Sequence, residues 1–153
     1  MLRLGLNLIL PLATRWVHEQ EQRIVSEGIL LAPNEAFLAH LAGVRNPEKV
    51  RLMHVDFIPM PEDTVLRKAN ELVNLVSPVT AGITFGYGIY IRDDIWGDRK
   101  LLAHELVHVA QYERFGSVGA FLKEYLDECL SIGYPNGPLE QEAITKSAEI
   151  CSI

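Results

Sequence analysis

The 153-residue sequence predicts an α+β domain. Most of the chain falls into segments with apolar residues at helical spacing, whereas 50–58 and 80–92 are rich in β-branched residues and read as strands. One helical segment, Arg99 to Phe115, is apolar over most of its circumference and is therefore expected to lie buried among the others. The length suits a single domain over 1–153, and 48% hydrophobic against 22% charged residues is enough to fill a core.

The elements follow in order. Leu4 to Leu12 is apolar behind Arg3, but it is short, holds Asn7 and Pro11, and lacks a small-x-small cleavage site. It reads as a core or interface segment leading into a helix over about Leu12 to Glu27, stopped by Gly28. Pro33-Asn34 opens a shorter helix to about Ala42, closed by Gly43. Val50 to Ile58 reads as a strand with imperfect alternation, broken by Pro59-Met60-Pro61. Val65, Leu66, Ala69, Leu72, Val73 and Val76 place a helix over about Glu62 to Val76, ended by Ser77-Pro78. Ile83, Phe85, Tyr87, Ile89 and Ile91 alternate at period two, so Thr80 to Arg92 is a strand or a bent pair of strands. Gly82, Gly86 and Gly88 mark bulges or close approach there. Asp98 is placed to cap the helix Arg99 to Phe115, which Gly116 terminates. A helix over Val118 to Ile132 ends at Gly133, and Pro138 fits the first turn of a last one, about Leu139 to Cys151.

Composition excludes some function classes. A net charge of -6 with no basic patch argues against a nucleic-acid binder. No stretch reaches the roughly 18 apolar residues that a membrane span needs. Cys129 and Cys151 do not make a disulfide framework and read as two thiols in a reducing cytoplasm, the expected location. His18, His40 and His54 read as ordinary surface or core histidines.

His104-Glu105-Leu106-Val107-His108 carries the chemistry. Two histidines four apart stack on one helix face and can reach one zinc ion, while Glu105 can touch a water on that ion without being a ligand. His104, His108, Gln111 and Tyr112 share the one polar face of the otherwise apolar helix. Buried polar groups left unpaired cost several kcal/mol, and a metal would satisfy the two imidazoles. Zinc needs a third protein ligand. Glu140 and Glu142 are candidates, but about 200° separates their directions on a helix, so only one can point at the metal. Asp127 and Glu128 on the preceding helix are further candidates. Gln111 and Arg114 stand where a metzincin needs glycine and histidine, and both cysteines lie downstream where peptide deformylase needs one upstream.

The run His104-Glu-Leu-Val-His108-Val-Ala-Gln-Tyr-Glu-Arg-Phe-Gly is followed by Phe121-Leu-x-x-Tyr125, Gly133-Tyr134 and Pro138-Leu-Glu140-Gln-Glu-Ala143. Over about Thr80 to Ala148 the chain thereby resembles small bacterial zincin-like proteins, in an arrangement similar to the minimal gluzincin metallopeptidases. The resemblance implies a zincin-like fold, with a small, mostly antiparallel sheet packed on the buried motif helix and helices around it. It places the ligand glutamate at Glu140, three residues before the small Ala143, so that His104, His108 and Glu140 hold Zn. It implies a zinc-dependent metallopeptidase cleaving a peptide or protein substrate by attack of a metal-bound water, with Glu105 as general base. The alternative is a catalytically silent or latent metal-binding module with a regulatory or interaction role. Tyr112 and Tyr134 are candidate oxyanion donors. Ile144 stands where many gluzincins carry an aspartate that orients a ligand histidine, so that support is expected from elsewhere. In zincins the strand before the motif helix lies at the sheet edge and pairs with extended substrate, a role this assigns to Thr80 to Arg92, with Gly86 and Gly88 permitting close approach. The short stretch before that strand leaves little room for a deep pocket, and an N-terminal helix or the tail Glu149 to Ile153 is available to cover the cleft.

Overall fold

The computed structural model describes residues 2–153 apart from 74 and 78. In chain order these form α1 (Leu2–Glu27), β1 (Ile29–Leu30), α2 (Pro33–Ala42), β2 (Arg51–Val55), α3 (Thr64–Val73), β3 (Gly82–Phe85), β4 (Gly88–Arg92), α4 (Arg99–Phe115), α5 (Val118–Ser131) and α6 (Pro138–Ile150). Alternation along the central strands divides the core in two. Leu52, Ile89 and Ile91 face one side, where they meet Leu38 and Ala42 of α2, Leu106 and Val109 of α4 and Ala143 of α6. Tyr90 and Phe85 belong to the other cluster, with Val17 and Ile24 of α1 and Phe121 and Tyr125 of α5. The sheet is thus covered by helices on both faces, which makes the domain α+β with two small cores.

The strand order is β1-β2-β4-β3. β3 and β4 form an antiparallel hairpin closing at Phe85 and Gly88, and β1 pairs antiparallel with β2. β2 and β4, however, run parallel, with Leu52 opposite Ile89. The sheet is therefore mixed: two of its three pairings are antiparallel, in keeping with the mostly antiparallel sheet expected, and one is parallel. A parallel pair needs a long crossover, and α3 together with β3 supplies it. Residue alternation carries no signal for strand direction, so the sequence could not show this. β1 escaped notice because both of its residues are exposed and it has no apolar alternation.

Helix ends follow local chemistry. The Asp98 side chain accepts from Leu101 N–H, and Gly116, at φ 83°, closes α4 in the left-handed region that glycine tolerates. The Asp63 carboxylate accepts from the N–H groups of Val65 and Leu66, so α3 starts at Thr64, two residues later than its apolar spacing suggested. At the N-terminus the expectation needs correction: α1 already starts at Leu2 and runs through Pro11. Proline removes one helical hydrogen bond, but Leu10, Ala13, Val17 and Ile24 form one stripe packed in the second core. That tertiary burial outweighs the local break. Among the described residues no helix is long and apolar enough to cross a membrane.

Two glycines also need correction. Gly86 sits in the β3–β4 turn at φ 64°, and a side chain there would run into the Glu21 carboxylate. A Cβ at Gly88 would lie 2.8 Å from Ile24. Both positions serve the turn and the approach of α1 to the sheet, rather than the approach of a substrate.

Candidate metal centre

α4 places His104 and His108 one turn apart, with their Nε2 atoms separated by 3.2 Å. α6 packs across α4 and brings in Glu140, whose Oε1 lies 2.9 Å from His104 Nε2 and whose Oε2 lies 3.1 Å from His108 Nε2. Among the described residues these three are the one group of three or more potential metal-binding side chains with converging donor atoms, all within 4.8 Å of one another. Ligand bonds of about 2.0–2.1 Å in a tetrahedral zinc site put donors about 3.3–3.4 Å apart, close to these separations. Two imidazole nitrogens and one carboxylate are a zinc-type donor set, since magnesium and calcium prefer oxygen ligands alone. The residues present therefore fit zinc.

The other carboxylates considered from the sequence point elsewhere. Glu142 Oε1 accepts from Gln111 Nε2 at 2.8 Å and from Arg114 at 3.1 Å. Glu128 Oε1 accepts from Leu139 N–H at 2.8 Å and so caps the start of α6 one residue before Glu140. Asp127 is not part of the group. Of the remaining histidines, His54 stacks on Trp96 and meets Asp93, His18 lies beside Glu21, and His40 is exposed.

The electrostatics of the trio suit a cation. Burial alone would raise the Glu140 carboxyl, but hydrogen bonds and charge from His104 and His108 prevail and hold it well below the ordinary carboxylate range. For His108, burial opposes the charged ring, yet its bond to Glu140 and the negative charges of Glu105 and Glu140 carry its pKa upward. The site thus holds an anionic carboxylate against two imidazole nitrogens.

Around this trio stand groups to which sequence reasoning gave no role at the metal. The Thr84 hydroxyl lies 2.6 Å from Oε2 of the buried Glu105 and 3.0 Å from its backbone carbonyl, so β3 holds the proposed base in place. Tyr125 O–H donates to Glu140 Oε2 at 2.8 Å. Gln111, fully buried, meets His108 Nδ1 at 2.8 Å. Signals existed for two of them: Thr84 is a polar residue inside an apolar strand, and Tyr125 lies one helical turn beyond Phe121. Of the two tyrosines proposed as oxyanion donors, Tyr112 is buried and bonds the Thr84 carbonyl at 3.4 Å, so it is a packing residue. Tyr134 lines the cavity and stays half-exposed; burial first, then the nearby Glu140 and Glu105 charges, push its hydroxyl up to about 12, so it remains a proton donor at neutral pH.

The trio and Glu105 lie in a cavity of about 850 Å³. Its walls include Ala13 and Trp16 of α1, Leu66 and Leu72 of α3, and Leu122 and Leu126 of α5. The expectation of little room fails because the extended α1 and the amphipathic α3 both contribute walls. The C-terminal tail does not cover the cleft: Ile153 is 84% exposed and Cys151 packs against the first core. β3 forms the outer edge of the sheet beside the cavity, while β4, the strand directly before α4, is central. From the hairpin register, Ile83 bonds β4, and Gly82 and Thr84 turn their backbone groups outward. No family model, no curated protein and no solved structure matches this chain.

Proposed function

We propose that the protein is a zinc-dependent metallopeptidase of gluzincin type. The observation that carries this reading is the convergence of His104, His108 and Glu140 in one large cavity that also holds the Glu105 carboxylate. When bound, zinc lowers the pKa of a water toward about 7 and polarises a carbonyl oxygen. Glu105, steadied at Oε2 by Thr84, takes the proton of the attacking water and delivers it to the leaving amide nitrogen. Tyr134 donates its O–H to the oxyanion. An extended substrate adds to the outer edge of β3 at Gly82, since the Thr84 carbonyl already accepts from Tyr112. The apolar walls favour large apolar side chains beside the scissile bond. Burying one is worth about 1.5–3 kcal/mol, a preference of roughly 10–100-fold over small residues. Cys129 and Cys151 are both free thiols, which supports a cytoplasmic setting.

The test is zinc content of the purified protein beside cleavage of casein and of apolar-rich peptides by wild type and Glu105→Gln. Stoichiometric zinc with cleavage lost in Glu105→Gln is the expected result. Zinc without any Glu105-dependent cleavage would overturn the peptidase reading and leave a silent metal-binding module.

A further inference from the structure

Gln111 has four hydrogen-bonding sites and contacts from two elements. Its Nε2 donates to the Leu139 carbonyl at 2.9 Å and to Glu142 Oε1 at 2.8 Å. A carbonyl can only accept. Glu142 Oε1 also accepts from Arg114 Nη2 at 3.1 Å, a group that can only donate. Both contacts therefore require the NH2 end of the amide, and its orientation follows from the bonding partners. The carbonyl end must then be the one 2.8 Å from His108 Nδ1, and this nitrogen must carry a proton to donate.

We propose that Gln111 is the positioning residue of the metal centre, pinning the proton of His108 to Nδ1 so that the Nε2 lone pair faces His104 and Glu140. The same amide grips the backbone of Leu139, the residue before Glu140. One buried side chain thus orients a ligand ring on α4 and the start of the segment that carries the third ligand on α6. With Nδ1 protonated, Nε2 stands 3.1 Å from Glu140 Oε2 and is the ring nitrogen left to take a proton or a metal ion on that side. Arg114 completes the chain by holding Glu142 at 3.1 Å, which ties both ends of the relay to α4. A glutamine does here what a carboxylate commonly does for a ligand histidine, and it leaves the ring less negative than a carboxylate would.

The zinc role rests on the metallopeptidase reading, but the tautomer can be read without metal. The experiment is 15N NMR of the His108 ring nitrogens in metal-free and in zinc-loaded protein, together with zinc affinity by chelator competition. Wild type should show a protonated, pyrrole-type Nδ1. Gln111→Met, similar in length and without polar atoms, should move the proton to Nε2 and weaken zinc binding by about 10–100-fold. The paired exchange of Gln111→Glu with Glu142→Gln keeps an acceptor for Nδ1 and should restore the tautomer, but it leaves the Leu139 carbonyl without its donor, so zinc affinity should recover only in part. An unprotonated Nδ1 in wild type, or a Gln111→Met protein with unchanged tautomer and affinity, would overturn the proposal. Should Gln111→Met fail to fold, the wild-type spectrum still decides, because a slowly exchanging Hδ1 close to the Gln111 side-chain protons is required. A wild type that binds no zinc yet shows the pinned Nδ1 would sink the zinc reading and leave the pin standing.

Discussion

Replacing Glu140 by glutamine tests the centre most directly, because the substitution preserves shape and removes only charge. In the metal-free protein the carboxylate accepts from Tyr125 and faces both histidines. A glutamine oxygen can still accept from Tyr125, so the loss is that of charged hydrogen bonds to the rings, about 1.5–3 kcal/mol. For a domain of this size each kcal/mol moves Tm by about 2–4 °C, so the metal-free variant should melt about 3–12 °C lower. Zinc adds a second, larger contrast. At about 1,000 times Kd a bound ion stabilises the native state by about 4 kcal/mol, or about 8–16 °C. Loss of a charged ligand that weakens Kd about 1,000-fold erases nearly all of that gain at the same zinc concentration. Calorimetry in chelator and in excess zinc, on wild type, Glu140→Gln and Glu142→Gln, reads both numbers. Wild type and Glu142→Gln should rise with zinc and Glu140→Gln should not. A Glu140→Gln protein that keeps the full zinc-induced rise, beside a Glu142→Gln protein that loses it, would refute the ligand assignment.

Other consequences follow from the same geometry. Thr84→Val removes the hydroxyl beside Glu105 and should lower kcat by about 10–100-fold with zinc content unchanged, measured by steady-state kinetics and metal analysis. Ala13→Trp fills the cavity wall and should raise KM for peptides with large apolar residues while sparing those with small ones. The metal-free protein should be most stable in mildly acidic solution. His108, with its pKa raised, stabilises fully below its ordinary 6.5 and loses that contribution as pH rises through the folded value. Glu140, with its pKa lowered, stabilises above its ordinary 4.5 and loses that as pH falls toward the folded value. Zinc competes with the His108 proton, so its affinity should climb with pH through the raised His108 value; titrations across pH 5 to 9, about the range in which histidines titrate, check both trends.

Much of the fold was legible because its cues are local. Pro33 and Gly43 bound α2, and Asp98 and Gly116 bound α4, where capping acts within a few residues of the helix end. The histidine pair was legible for the same reason: a four-residue step on a helix fixes which side chains share a face. The full length of α1 was not legible, since Pro11 is a local break that only packing overrides. Nor was the parallel β2–β4 pair, which depends on how α3 and β3 cross between the strands.

By itself the sequence determined that a buried helix presents two histidines and a glutamate, and that a carboxylate must come from elsewhere to complete a zinc-type set. Only the tertiary structure decided which one. The docking of α6 on α4 turns Glu140 toward the rings and Glu142 toward Gln111 and Arg114, through contacts that span 28 and 31 residues of chain. It likewise placed Thr84 on Glu105 across 21 residues and opened the cavity between α1, α3 and α5. Spacing along a helix dictates direction within that helix, whereas partners on different elements meet only once the two cores have packed and set the distance between them.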